Sequence, residues 1–194
     1  QLGGSGMTRY LEELKPSNIF DIMAMVALFR PGPMESIPEF IRRKHNPKLI
    51  SYLDPRMKDI LSASYGVIAY QDDVMLIAIH LAGYSWLEAD KLRKAMGKKI
   101  PAEMEAQKEK LKDGLVKNGM EPKKADALWK LIEPFAAYGF NKAHAASYGK
   151  VAYQTAYMKA NFPAIYMAAV LTAAILSRVA RLTESLASIR PKTV

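Results

Sequence analysis

The chain has no cysteine and only three histidines in 194 residues. Without cysteine there is no disulfide framework and no thiolate chemistry. His45, His80 and His144 stand far apart, none with a partner at metal-ligand spacing. His80 lies on an apolar helical stretch and is expected to be a satisfied core residue. No Gly-rich phosphate loop of the Walker type and no elbow around a serine is present. Asp72 and Asp73 are adjacent, so on a helix they diverge by about 100° and make a poor two-metal clamp. The longest apolar run, Phe162 to Leu176, is shorter than the roughly 20 residues of a membrane-spanning helix. No charged-then-apolar leader opens the chain, which starts Gln1-Leu2-Gly3-Gly4-Ser5-Gly6 and reads as a piece of a longer polypeptide. Acids are scarce as well: 19 Asp and Glu stand against 28 Lys and Arg, a net charge of +9. That excess predicts acidic partners, nucleic acid first, nucleotides or an anionic membrane surface second. The expectation is a basic, globular, intracellular protein in which no residue cluster is built for catalysis on its own.

Helical periodicity dominates what is present. Ser17 or Asn18 caps a run whose apolar face is Ile19, Ile22, Met23, Val26, Ala27 and Phe29, and Arg30-Pro31-Gly32-Pro33 stops it. A short helix from about Pro38 ends in the basic tail Arg42-Arg43-Lys44-His45, and another runs from Pro55 to about Ser62. Tyr65 to Tyr70 is the one strand-like or extended piece. Helices are then predicted over Gln71 to Ala82, closed by Gly83, over Pro101 to Asn118, over Pro122 to about Phe135, over Lys142 to about Asn161, and from Pro163 into the tail. The fold class is mainly α, a multi-helix domain with one short extended segment near residues 65–70.

Three segments carry groups suited to phosphate chemistry. In Ser85 to Lys99, Ser85 and Glu88 form a capping box, Gly97 marks the stop, and Leu92, Ala95 and Met96 face the core. Lys91, Lys94 and Lys98 share one flank and Arg93 takes the other, with Lys99 adjoining and no acid between Lys91 and Lys99. Such donors suit polyphosphate or a nucleic-acid backbone. A solvated basic face is the bland alternative. Arg30 follows a helix in a turn of nearly fixed backbone, so it either caps that helix or is aimed at phosphate. Tyr138 to Tyr148 places Asn141, Lys142, His144 and Tyr148 around a turn entering a helix, whose N-terminal N–H groups favour anions and whose rings suit base stacking. Tyr153 and Tyr157 face the same way and are expected to be half-buried packing residues.

In this order, Val26–Pro33, Tyr65–Gln71, Ala89–Lys99, Tyr138–Ala145 and Tyr153–Tyr157, followed by Phe162-Pro163 and Met167-Ala168-Ala169, the motifs resemble the fingers region of the bacterial replicative C-family DNA polymerases, the DNA polymerase III alpha subunits. The likeness covers about residues 7–173. It implies that residues 1–16 lead in from an upstream palm, 17–173 form the fingers and 174–194 are an atypical tail. It implies extension of primer-template DNA in the 5′ to 3′ direction from deoxynucleoside triphosphates, with Mg2+ held by palm aspartates outside this segment. Arg30, Arg93, Lys94, Lys98 and Lys99 would meet triphosphate or template backbone. Asn141, Lys142, His144 and Tyr148 would line the nucleotide pocket. Implied partners are DNA, nucleotides, the palm of the same polypeptide and other replisome subunits, in the cytoplasm and with no membrane. The fragment alone would be inactive. Ala143 stands where the family usually has serine, Asp72-Asp73 replaces a glutamate-containing pair, and Gly3-Gly4 and the tail depart from the pattern. A free-standing basic helical module that binds nucleic acid without catalysis is the alternative, and a bundle docking on an acidic protein the weaker third.

Overall fold

The computed structural model describes residues 2–98, 100–133 and 140–188. Among them are ten α-helices, α1 (Ser5–Leu14), α2 (Ile19–Leu28), α3 (Ile37–His45), α4 (Lys58–Leu61), α5 (Gln71–Ala82), α6 (Trp86–Lys98), α7 (Pro101–Lys117), α8 (Pro122–Ile132), α9 (Lys142–Asn161) and α10 (Pro163–Ser188), and no strand. The chain divides into two compact units, residues 1–150 and 151–194.

The first unit is organised on α2 and α5. Asn18 caps α2 by accepting the Asp21 N–H at 3.0 Å. Every residue from Met23 to Leu28 is buried, so α2 is covered all round and presents no single apolar stripe. The helix α5 packs on α6 and α7, and α7 on α8. Close approach of α5 and α7 depends on Gly114, where a Cβ would sit 2.5 Å from the Ala82 carbonyl oxygen. Gly83 ends α5 in the left-handed conformation, φ 75°, which favours glycine. Three residues, Gly83 to Ser85, then join α5 to α6.

Several sequence expectations need correction. Of the strand-like and extended readings of residues 65–70, the strand is the one not found: Tyr65 is left-handed at φ 54°, and Val67 to Tyr70 are buried outside any helix or strand, with Tyr70 extended. Gly97 does not stop α6, which continues to Lys98. His80 is exposed, not in the core. The helix from Pro122 ends at Ile132, and Phe135 lies outside the described residues.

In the second unit Tyr153 and Tyr157 are about half exposed, at 54% and 50%. Their rings lie 6.5 Å apart, and Tyr157 also meets Phe162 at 6.4 Å. The helix α10 is continuous through Ser177 and Arg178, so its apolar stretch is longer than the run ending at Leu176. Pro163–Arg181 is 19 residues of mean hydropathy 1.6, unburied, and by length and composition long and apolar enough to cross a membrane.

Candidate nucleotide and nucleic-acid interface

His144 and Tyr148 are spaced by four residues on α9 and so share one face, and Phe140 lies two residues before that helix begins. Phe140 meets His144 edge-on at 4.7 Å, and His144 stacks on Tyr148 at 4.3 Å with 29° between planes. At the foot of this ladder the Arg30 guanidinium carbon lies 3.8 Å from the Phe140 ring centre. Arg30 thus stacks on a ring, a weakly hydrated cation held flat by a π face. Phe140 is buried, whereas His144 and Tyr148 are exposed.

The entry to α9 is tied to the entry to α5. The Gln71 N–H donates to the Phe140 carbonyl at 2.9 Å, and the Lys142 N–H donates to Asp72 Oδ2 at 2.9 Å. The Lys142 ammonium lies 5.5 Å from the Tyr70 ring centre. Asn141 caps α9 by accepting the His144 N–H at 3.2 Å. The N–H groups of Lys142 and His144 are thus already engaged, and the electropositive elements at this end are side chains rather than an open helix terminus.

Asp73 turns the other way and accepts the Ala69 and Tyr70 N–H groups at 2.9 and 3.0 Å. Burial pushes its carboxyl up to about 6 against those two hydrogen bonds. Burial also raises the Tyr70 hydroxyl. The two aspartates diverge as the spacing predicts, each engaged with backbone. Among the described residues no three His, Asp or Glu side chains gather to hold a metal ion.

The basic helix α6 carries its capping box: Glu88 Oε2 accepts the Ser85 N–H at 2.8 Å, and Ser85 Oγ accepts the Glu88 N–H at 3.3 Å. Its charges are not left uncompensated. Arg93 Nη2 and Lys94 Nζ each reach Asp90, both at 2.7 Å, and Lys98 lies 3.8 Å from Glu103. Lys94 first, then Arg93, holds the Asp90 carboxyl below its ordinary value. The expectation drawn from an acid-free run fails because Asp90 precedes it by one residue, at the three- and four-residue spacings that pair side chains on a helix. Lys91, Lys94 and Lys98 do share one flank, around a hollow of about 290 Å³ against α7. Lys99, Tyr138 and Gly139 lie outside the described residues.

Of the sequence-selected residues, His144 and Tyr148 stack and are joined to Arg30 through Phe140, while Lys142 turns to Tyr70 and Asp72 and Asn141 caps α9. Arg93, Lys94 and Lys98 remain a separate group on α6. Phe140 and Asp72 were not singled out as site residues, although one seats Arg30 and the other fixes Lys142. The i, i+4, i+8 aromatic spacing was the available signal for Phe140. Asp72 carried none, because its partner lies 70 residues away. Together the junction offers flat, accessible rings beside cations, an arrangement that can stack a base and meet phosphate.

The family described as the bacterial DNA polymerase III alpha subunit finger domain matches residues 1–119. The DNA polymerase III subunit alpha of Xylella fastidiosa (strain Temecula1) is 50% identical over 172 residues, covering 89% of this chain and 14% of that protein. Those of Treponema pallidum and Chlamydia pneumoniae are 49% and 48% identical, again over 89% of this chain and covering 15% and 14% of theirs. The chain thus spans about one seventh of the length of these curated relatives. With residues 1–119 matched by the family and about half of the 172 aligned residues shared with a whole subunit, the chain belongs to the finger domain family of the bacterial DNA polymerase III alpha subunit.

Proposed function

We propose that this chain is the fingers segment of a replicative DNA-directed DNA polymerase, closing on the incoming deoxynucleoside triphosphate and on primer-template DNA during 5′ to 3′ synthesis. The observation that carries the reading is the exposed His144–Tyr148 stack, joined through Phe140 to Arg30, with Lys142 over the Tyr70 ring at the entry to α5. The rings suit a base, and the two cations suit its phosphates. Arg93, Lys94, Lys98 and Lys99 extend the cationic surface toward triphosphate or template backbone. In phosphoryl transfer such groups act by positioning and by neutralising charge that develops on the phosphates.

Divalent metal belongs to the palm aspartates in this reading. The carboxylates described here do not suit it, since Asp72 and Asp73 diverge onto backbone donors. Residues 17–173 are assigned to the fingers, working with the palm and replisome subunits in the cytoplasm and at the nucleoid, without a membrane. The fragment alone is expected to be inactive.

Primer extension tests this. The chain joined to its upstream palm should extend a primer only with Mg2+, and the chain alone should not extend it. A well-folded joined protein that binds primer-template but never extends it would transfer the reading to a non-catalytic basic nucleic-acid-binding module.

A further inference from the structure

Apart from the α9 ladder, the unit formed by residues 1–150 holds a cavity of about 600 Å³, within the roughly 300–1,000 Å³ of small-molecule sites. Met57, Val67 and Ile68, all buried, make its apolar floor, and Leu131 of α8 stands at its side. Its walls are tied across the chain. The Arg43 guanidinium donates to Glu39 at 2.7 Å, to the Ser51 carbonyl at 3.1 Å and to the Tyr65 carbonyl at 3.2 Å. That clasp joins α3, the loop after it and the turn before Val67, so the cavity exists before any ligand arrives. It also uses up charge. Arg43 and Arg42 both pair with Glu39, and Arg43 above all holds the Glu39 carboxyl below its ordinary value. Lys124 also lines the cavity, half exposed and only loosely paired with Glu121 at 3.8 Å. Glu35 lines the same cavity, is exposed, and enters no ion pair among the described residues.

We propose that this cavity is a ligand site for a small organic cation with an apolar body, its ammonium beside Glu35 and its body on Met57, Val67 and Ile68. An apolar floor supplies the attraction, and one uncommitted carboxylate at the wall selects the sign of the polar end. An anion would meet Glu35 and find Arg43 already bound to a carboxylate and two carbonyls. The site is separate from the polymerase reading and does not rest on it.

The test is a titration of the whole chain with 4-phenylbutylamine, followed by NMR of methyl-labelled methionines, with Met57 assigned through Met57→Leu. The Met57 methyl is expected to move saturably with a Kd of about 1 mM, the affinity of a fragment of this size. Met158, in the other unit, is expected to stay still. The neutral analogue 4-phenylbutanol should bind about threefold more weakly, and Glu35→Gln should bring the amine to the alcohol's affinity. Leu131→Trp, at a side chain half exposed to solvent, should crowd the cavity mouth and weaken both probes about tenfold. A Met57 signal that never moves, or that moves in step with Met158, overturns the site. Binding that survives Leu131→Trp overturns its location, and equal affinity for amine and alcohol overturns the choice of a cation.

Discussion

The Tyr65 hydroxyl donates to Asp21 Oδ1 at 2.7 Å, joining residues 44 apart in the chain. Asp21 is fully buried, and its other oxygen accepts the Ser17 N–H at 2.9 Å and lies 3.5 Å from the Lys44 ammonium. A buried carboxylate costs stability unless each oxygen is partnered. The bond also holds Tyr65 in a left-handed backbone that a bulky residue rarely adopts. Tyr65→Phe should therefore cost about 1.5–3 kcal/mol in urea unfolding, the range for hydrogen bonds to charged groups. Burial first, and the bond to Asp21 second, push the Tyr65 hydroxyl up to about 12. A raised folded-state value means the stabilisation is complete below the unfolded tyrosine's pH of about 10 and is lost as pH climbs through 12. The parent should lose stability in that alkaline window, and the phenylalanine variant should not share this loss.

Asp73 gives the acid-side counterpart. Its carboxyl is raised to about 6 by burial, above the unfolded value of about 3.9. Folding then favours the protonated form, so its contribution is greatest below pH 4 and declines as pH rises to 6. Asp73→Asn keeps an oxygen for the Ala69 and Tyr70 N–H groups and removes the buried charge. At pH 7.5 it should be more stable than the parent by about 1–3 kcal/mol, with the difference vanishing near pH 3.5. A variant less stable than the parent at pH 7.5 would show that the two N–H bonds need a full negative charge.

These two carboxylates also show what a sequence exposes and what it hides. The bounds of α5, the Ser85–Glu88 box and the span of α9 were legible because periodicity, caps and stops act within a few residues. Gly97 misled because glycine inside a helix costs only about 1 kcal/mol, less than burial of Leu92, Ala95 and Met96 returns. Val67 and Ile68 read as strand because both are β-branched and apolar. Among the described residues no strand lies beside them; the Val67 N–H bonded to the Ser64 carbonyl, the Ser64 hydroxyl on the Val67 carbonyl and the Asp73 carboxylate on the Ala69 and Tyr70 N–H groups hold the segment in its place. The Arg30–Phe140 stack spans 110 positions, and no local rule joins such a pair.

Gly114 should tolerate no side chain. Alanine there would gain up to about 1 kcal/mol of helix propensity. Its methyl would sit 2.5 Å from the Ala82 carbonyl oxygen and 3.0 Å from the Ala82 Cβ. Backbone cannot swing aside as a side-chain tip does, so α5 and α7 must part. Overpacking of this kind costs about 1–3 kcal/mol beyond the propensity gain. Gly114→Ala should lower the thermal midpoint by several degrees, and a midpoint at or above the parent's would show that the helices yield freely.

Arg30→Lys should separate stacking from charge. A lysine keeps the cation but not the planar fork that lies on Phe140. In the full-length protein the variant should fold and raise the nucleotide KM about tenfold, with little change when DNA concentration is varied. Arg93→Ala combined with Lys94→Ala should also weaken nucleotide use. Incorporation kinetics unchanged in both variants would remove these residues from the proposed interface.

Asp90 holds the remaining cations in reserve. Its pairs with Arg93 and Lys94 are short, yet the three side chains are between 31% and 59% exposed. Ion pairs in that setting contribute about 0–1 kcal/mol, so an arriving phosphate can take both cations at small cost. Asp90→Asn should leave urea stability within about 0.5 kcal/mol of the parent. It should also tighten primer-template binding at low salt, because the two cations no longer need to leave a carboxylate. Each additional phosphate neutralised steepens the dependence of log K on log salt by about 0.9. Fluorescence anisotropy across a salt series should therefore show tighter binding by Asp90→Asn at an unchanged slope, and a slope shallower by about one to two for Arg93→Ala combined with Lys94→Ala. An unaltered slope in that well-folded double variant would mean that Arg93 and Lys94 meet no DNA phosphate, and would restrict α6 to the nucleotide or to solvent.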